Sequence, residues 1–198
     1  MRKALKILGI AFGVLVLLIG GALVYVNAKD HPVYPIATID LPTNLDSLTL
    51  LRGKTMALGT CAYCHRADDG TFSGRYFDCT GAHGDVYSEN LTNHATMGLG
   101  RYSDGELAYL IRTGIRPDGS FVGPWMIYPH ISDEDLAGLI AYLRSDEPEV
   151  QAVAVERTQE YAFVFDALKK VQVITPFYED VSVPTRSEER RVGKIAYV

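Results

Sequence analysis

Cys61-Ala62-Tyr63-Cys64-His65 is the stretch on which the reading of this chain turns. Two thiols three positions apart lie on neighbouring turns of a helix-like segment, so both can add to the two vinyl groups of one porphyrin. His65 follows at once and can present a ring nitrogen to the iron. The C-x-x-C-H spacing therefore predicts one covalently attached haem c, held by Cys61, Cys64 and His65. Two other readings use the same cysteines. Cys61, Cys64, Cys79 and His83 read C-x2-C-x14-C-x3-H, which could close a zinc tetrahedron and make this a zinc-binding interaction module. That reading leaves His65 without a role. A thioredoxin-like redox pair would need a βαβ pattern around the motif, and none is there.

Working outward, a short helical pattern over about Ser47 to Leu58 leads into the motif. After it, Ala67 to Gly100 is rich in Gly and Asp and has little periodicity. Loops this long are uncommon unless something organises them, and a prosthetic group is such a thing. The next helix is well marked. Ser103 and Glu106 form a capping box, Leu107, Leu110 and Ile111 give one apolar face, and Gly114 is the stop. A turn follows at Pro117-Asp118-Gly119. Ser132 and Asp135 cap a further helix with Leu136, Leu139, Ile140 and Leu143 on one face, and Pro148 lies beyond its end. No strand pairing is legible between Leu48 and Ser145. The expected fold is therefore all-α: a small helical domain over residues 47–147, with long loops around one haem, preceded by an N-terminal transmembrane helix. In the C-terminal extension, 148–198, Gln159 to Val173 is one more helical candidate.

The transmembrane expectation rests on Ile7 to Val26, twenty residues without a charge. As a helix they rise ~30 Å, the thickness of a bilayer core. Arg2, Lys3 and Lys6 precede them and place that end in the cytoplasm. Residues 1–28 are thus expected to be a signal-anchor in the cytoplasmic membrane. The proline-punctuated stretch 29–46 follows as an extended tether, and the haem domain lies in the periplasm. The competing reading is a cleaved signal peptide, for which Val26-Asn27-Ala28 is a poor site. Of the 19 basic residues in the chain, three lie before the apolar run, which leaves 16 against 24 acidic ones and a net charge of −8 on the exported part. Such a surface does not suit nucleic acid. It suits docking against basic patches on redox protein partners at the membrane. The cysteine count, three, is odd for an exported protein, and a haem that consumes two of them explains it.

A six-coordinate iron needs a second ligand. Met56, Met97, Met126, His83, His94 and His130 are the candidates. Met56 directly precedes the attachment site and falls on the wrong side. Met97 sits in a Gly-flanked loop, and His130 reads as a surface residue leading into a capped helix. Met126 is favoured, because Pro124 and Trp125 can hold its thioether rigidly. A methionine in an ordinary chain would instead read as core packing.

From Leu50 to Ser145 the chain resembles a class I cytochrome c domain. Within that class it is similar to the haem domains in cytochrome subunits of membrane-bound dehydrogenases. The matching residues are Arg52-Gly53-Lys54 before the motif, Val86 to Thr92, Gly98 to Leu107, Arg112-Thr113-Gly114, Asp118-Gly119, Met126, Ser132 to Leu136, and Ala141-Tyr142-Leu143. The resemblance implies His65 and Met126 as axial ligands. It implies that the first and last helices of the domain cross near Gly53 and Tyr142. It also implies that the loop from Asn90 to Tyr102 lines the haem, with Arg101 and Tyr102 near the propionates. The chain departs from the family in having Ile127 after Met126, where proline is common, and in Cys79. Asn90-Leu91-Thr92 is formally a glycosylation sequon, which the family pattern explains better.

The function these readings imply is electron carriage rather than catalysis, between a membrane dehydrogenase or quinol-oxidising complex and a terminal acceptor. The alternative is a peroxidase-type haem enzyme with a displaceable distal ligand and acid–base help from His83 or His94. Near the end of the chain, Pro184-Thr185 followed by Arg191 to Ala196 echoes Pro42-Thr43 followed by Leu51 to Ala57. The echo is read as the start of a second cytochrome domain. A charged tail, or a non-native stretch over 186–194, are the other readings.

Overall fold

The computed structural model describes residues 2–77 and 83–177; Cys79, and the tail that carries the echo, lie outside the described residues. The charge-free run and its basic flank form one helix, α1 (Arg2–Ala28). Its most apolar 18-residue window has a mean hydropathy of 2.8, and no part of that window is covered by the rest of the protein. By length and composition this helix can cross a bilayer. Residues 30–46 carry neither helix nor strand and run along the domain, fastened to it at several points. The Tyr34 N–H donates to the Gly119 carbonyl at 2.9 Å and the Ile39 N–H to that of Gly105 at 3.2 Å. The Tyr109 hydroxyl donates to the Pro35 carbonyl at 3.1 Å. The Tyr34 ring is buried edge-on against Phe121.

Helix α2 (Ser47–Met56) begins where the Asp46 carboxylate accepts the Thr49 N–H at 2.7 Å. It widens into a single π turn, Ala57–Cys61, and runs on as α3 (Ala62–His65). The helical pattern read up to Leu58 therefore continues without a break through the haem motif. Wide turns of this kind occur mostly at functional sites. The described residues between 66 and 103 are largely irregular. Among them are one short strand, β1 (Gly84–Val86), and a 3-10 turn at Leu99–Arg101. Helix α4 (Asp104–Thr113) opens on the expected reciprocal capping of Ser103 and Glu106, and ends at Gly114 in the left-handed conformation, φ +76°. Helix α5 (Asp133–Leu143) opens on Ser132, whose hydroxyl accepts the Asp135 N–H at 3.1 Å. The carboxylates of Asp133, Glu134 and Asp135 in its first turn complement the helix dipole.

Helices α2 and α5 cross where neither carries a side chain. A β-carbon on Gly53 would lie 2.0 Å from the Gly138 carbonyl oxygen, and one on Gly138 would lie 2.5 Å from that of Thr49. The crossing is thus centred on Gly53 and Gly138, one turn before Tyr142. Tyr142 sits beside it, under the Lys54 ammonium and against Phe72. Around this crossing Ala57, Leu99, Leu107, Ala108, Ile111, Leu136, Leu139, Ile140 and Leu143 form the core.

Two sequence expectations need correction. β1 pairs antiparallel with β2 (Gln159–Tyr161), Asp85 lying opposite Glu160, and single bridges join Tyr76 to Tyr87 and Ile115 to Phe121. The predicted helix over 159–173 is instead this strand followed by α6 (Phe163–Lys170). Strands of three residues are too short to show alternation. The signal that was present is Gly84, at φ +96° with the Glu160 carbonyl 2.1 Å from where its β-carbon would be. The described residues are accordingly mostly helical, with one small two-stranded sheet among them.

Because a methyl group on Gly53 has only backbone to displace, Gly53→Ala should lower the unfolding free energy of the haem-loaded chain by about 2–4 kcal/mol. Gly59→Ala, whose β-carbon meets nothing within 4 Å, should stay within about 0.5 kcal/mol of wild type. Urea unfolding followed through the haem absorption measures both.

Candidate haem site

The run from α2 into α3 brings Cys61, Cys64 and His65 to one wall of a cavity of about 1280 Å³, counted to its open mouth. Leu91 and Leu99 from the long loop, Leu107, Leu110 and Ile111 from α4, and Leu139 and Leu143 from α5 make the lining strongly apolar. An apolar lining with a few convergent polar groups is the mark of a site for an organic ligand. Met126 lines the same cavity, on a 3-10 turn, Pro124–Met126, between α4 and α5.

His65 is buried, and its Nδ1 lies 2.7 Å from the Glu89 carbonyl oxygen. A carbonyl only accepts, so Nδ1 carries the proton and Nε2 keeps its lone pair. Burial holds the pKa of His65 below its ordinary value, with the Glu89 carbonyl opposing. The ring is therefore a neutral nitrogen donor of fixed tautomer, oriented from behind as metal-bound histidines are. The loop that supplies the carbonyl is itself tied down. The Ser88 hydroxyl donates to the Cys64 carbonyl at 2.6 Å, and the Gly74 N–H donates to that of His65 at 3.0 Å. Asn90 is buried. Its amide donates to the carbonyls of Val153 and Val155, and its oxygen accepts from the Thr92 N–H and hydroxyl. This sequon asparagine is a structural knot that no glycan can reach.

Burial pushes the Cys61 thiol up to about 11, with its own backbone opposing and the neighbouring Cys64 adding to the rise. A disulfide-exchange cysteine needs the reverse, a lowered pKa. The donor set and the apolar lining fit a covalent haem: two thiols, one neutral buried imidazole and a thioether around one cavity.

Arg101 and Tyr102 also line the cavity, with the Arg101 guanidinium over the Tyr102 ring at 4.8 Å. Burial raises the pKa of the Tyr102 hydroxyl, with Arg101 and Arg116 opposing. Sequence reasoning missed a stronger cation at the same wall. Arg116 lies 2.6 Å from a Glu89 carboxylate oxygen, against 3.6 Å for Arg101, and is the more buried of the two. Burial works against the Arg116 charge, but the Glu89 carboxylate outweighs it and raises the pKa. Arg116 reads in the sequence only as part of a turn before Pro117. The other histidines lie elsewhere. Among the described residues His65 is the one histidine lining the cavity. His83 packs on Trp125 and Phe165, the His94 ring accepts the Met97 N–H, and His130 is exposed. Met56 lines the cavity, whereas Met97 is exposed outside it.

These features define a domain built to hold one covalent haem between a buried histidine and an apolar wall. Residues 50–146 match the family model for cytochrome c, and this part of the chain is a cytochrome c domain, whose prosthetic group is haem c and whose chemistry is electron transfer. Over 101 residues, 49% of this chain, it is 39% identical to the cytochrome c subunit of alcohol dehydrogenase (quinone) from Gluconacetobacter polyoxogenes, covering 22% of that protein. It is 29% identical to the fructose dehydrogenase cytochrome subunit of Gluconobacter japonicus over 153 residues, 75% of this chain and 30% of that one. It is 36% identical to the gluconate 2-dehydrogenase cytochrome c subunit of Pantoea cypripedii over 96 residues, 46% of this chain and 22% of that one. The matches thus span less than a third of the length of these relatives. With haem c as the cofactor, the zinc reading loses its two central ligands; its third, Cys79, lies outside the described residues.

The geometry ranks the two arginines. Arg116→Met should cost the haem-loaded chain about 1–3 kcal/mol, by leaving Glu89 with only a long contact to Arg101. Arg101→Met, at a more exposed pair, should cost no more than about 1 kcal/mol. Equal losses in urea unfolding would contradict this ranking.

Proposed function

We propose that the chain is a membrane-anchored monohaem c-type cytochrome that carries electrons on the periplasmic side, with His65 and Met126 as axial ligands. The observation that carries this reading is that His65 and Met126 line one apolar cavity while the Nδ1 of His65 is committed to the Glu89 carbonyl. When bound, the haem supplies one-electron iron chemistry. The chain's own residues do the rest. Cys61 and Cys64 hold the group by thioether bonds. His65 offers Nε2 in a fixed orientation, and the Met126 thioether is a soft, neutral second donor of the kind that raises the potential relative to two histidines. The apolar walls exclude water, which disfavours the more charged oxidised state. Arg101, Tyr102 and Arg116 line the cavity and would receive the haem propionates, the two guanidinium groups supplying positive charge and the Tyr102 hydroxyl a hydrogen bond for carboxylates otherwise buried unpaired.

Helix α1 is read as an uncleaved anchor, with Arg2, Lys3 and Lys6 on the cytoplasmic side. The partners follow from the kinds of protein that carry related domains: a membrane dehydrogenase or quinol-oxidising complex as donor, and a further redox protein as acceptor. An acidic exported surface would steer encounters with basic patches and make them sensitive to salt.

The test is an absorption spectrum and a redox titration of the full chain, matured with haem. Met126→Ala should abolish the weak far-red band of a sulfur-ligated ferric haem. It should also lower the potential by on the order of 100 mV, a fraction of the ~0.8 V that axial ligands span. A wild type without that band would overturn the ligand assignment. Recovery of the haem protein from carbonate-washed membranes, still carrying its N-terminal run, is the expected result for the anchor; a soluble form beginning after Ala28 would replace it with a signal peptide.

A further inference from the structure

The turn that bears Met126 has little of its own to hold it. Gly123 before it has φ +130°, and the Met126 N–H reaches the Gly123 carbonyl only at a long 3.5 Å. On either side of the turn the domain itself holds the chain, the Val122 N–H donating to the Gly114 carbonyl and the Tyr128 N–H to that of Ile111, both at 2.9 Å. The side-chain contacts that fasten the segment between them come from beyond residue 146, outside the part matched by the cytochrome c family. The Tyr161 hydroxyl donates to the Val122 carbonyl at 3.1 Å. The Lys169 ammonium donates to the Phe121 carbonyl at 2.9 Å and lies 4.2 Å from the centre of the Tyr161 ring. The Phe165 ring, itself buried, stacks on Trp125 with centres 5.2 Å apart and planes 20° from parallel. His83 stands edge-on to both rings. The arm that supplies these groups is anchored in turn. β2 pairs with β1, and the Ala162 N–H donates to the His83 carbonyl at 2.8 Å.

We propose that the arm from Gln159 to Lys170 is a clamp that sets the position of the Met126 sulfur, with Phe165 and Tyr161 as positioning residues. The proposal rests on the reading of Met126 as the distal ligand. A thioether is a weak, uncharged donor, so its hold on iron depends on where the backbone keeps it. The turn exchanges between a seated state and a withdrawn one, and the clamp favours the first. An added ligand binds only when the turn is withdrawn, so its apparent affinity scales with the withdrawn fraction. Loss of one aromatic stack should raise that fraction roughly two- to tenfold. Loss of one neutral hydrogen bond should raise it by a similar factor, roughly two- to tenfold.

The experiment is a titration of the ferric, haem-loaded full chain in detergent with imidazole, followed in the visible spectrum, together with a redox titration. In Phe165→Ala and in Tyr161→Phe the apparent Kd for imidazole should fall by these factors and the potential should drop. Val164→Ala, an exposed position on the same helix, should leave both unchanged. Tyr161→Phe removes one hydroxyl and leaves no cavity, so it decides the matter if Phe165→Ala fails to fold. If Met126→Ala opens the iron to imidazole while Tyr161→Phe and Phe165→Ala bind it as wild type does, the clamp is wrong and the ligand assignment stands. If Met126→Ala leaves imidazole affinity unchanged, the ligand assignment fails and the clamp falls with it.

Discussion

Two glycines pressed backbone to backbone set the geometry on which everything else in this domain depends. With Gly53 against Gly138, helices α2 and α5 approach more closely than any side chain would permit. That approach aims the C-terminal end of α2 into the domain, so the π turn and α3 deliver Cys61, Cys64 and His65 to the cavity wall rather than to the surface. It also turns the Leu139 and Leu143 face of α5 toward the same space. Position alone does not make His65 useful as a ligand. The Glu89 carbonyl does that by fixing which nitrogen holds the proton, and Glu89 reaches His65 only because Ser88 and Asn90 tie its loop down on either side. Helix packing, loop tethering and tautomer form one chain of cause.

Much of this was legible in the sequence, for reasons that differ by residue. The haem motif is contiguous, so its spacing alone carries its chemistry. The helix caps at Ser103 and Ser132 are local too, and both lie where the pattern put them, the first as a full reciprocal box and the second as an N-cap on the Asp135 N–H. Arg116 was not legible, because its partner Glu89 is 27 positions away and nothing in the turn around it marks a buried cation. The β1–β2 pairing was not legible either. It joins residues some 75 positions apart through strands too short to alternate. The crossing at Gly138 was half visible: Gly53 stood out within a matched triplet, while Gly138 lay unremarked inside an apolar helix.

The extension beyond residue 147 read as an appendage and is part of the domain's working structure. The Arg157 guanidinium donates to the carbonyls of Ser73 and Gly74, and the Gln159 amide donates to that of Tyr87. Val153 and Val155 receive the Asn90 amide. The segment therefore closes over the haem loop at several points before it reaches the Trp125 stack. Its irregular sequence gave no hint, since each of these bonds ends on a main-chain carbonyl that any residue supplies.

The fastened stretch after α1 has a consequence for how such a molecule works at a bilayer. Tyr34, whose ring is buried in the domain, comes only six positions after Ala28, and six residue steps span at most ~20 Å. Were α1 to lie in a bilayer, the domain would be mounted rather than leashed. Its height above the lipid would be held within a narrow shell, and it could not swing out to meet a distant protein. Electron exchange would then become a search in two dimensions, in which partners drift laterally until a surface at the same height comes alongside. Donors and acceptors would be selected by stature as much as by charge.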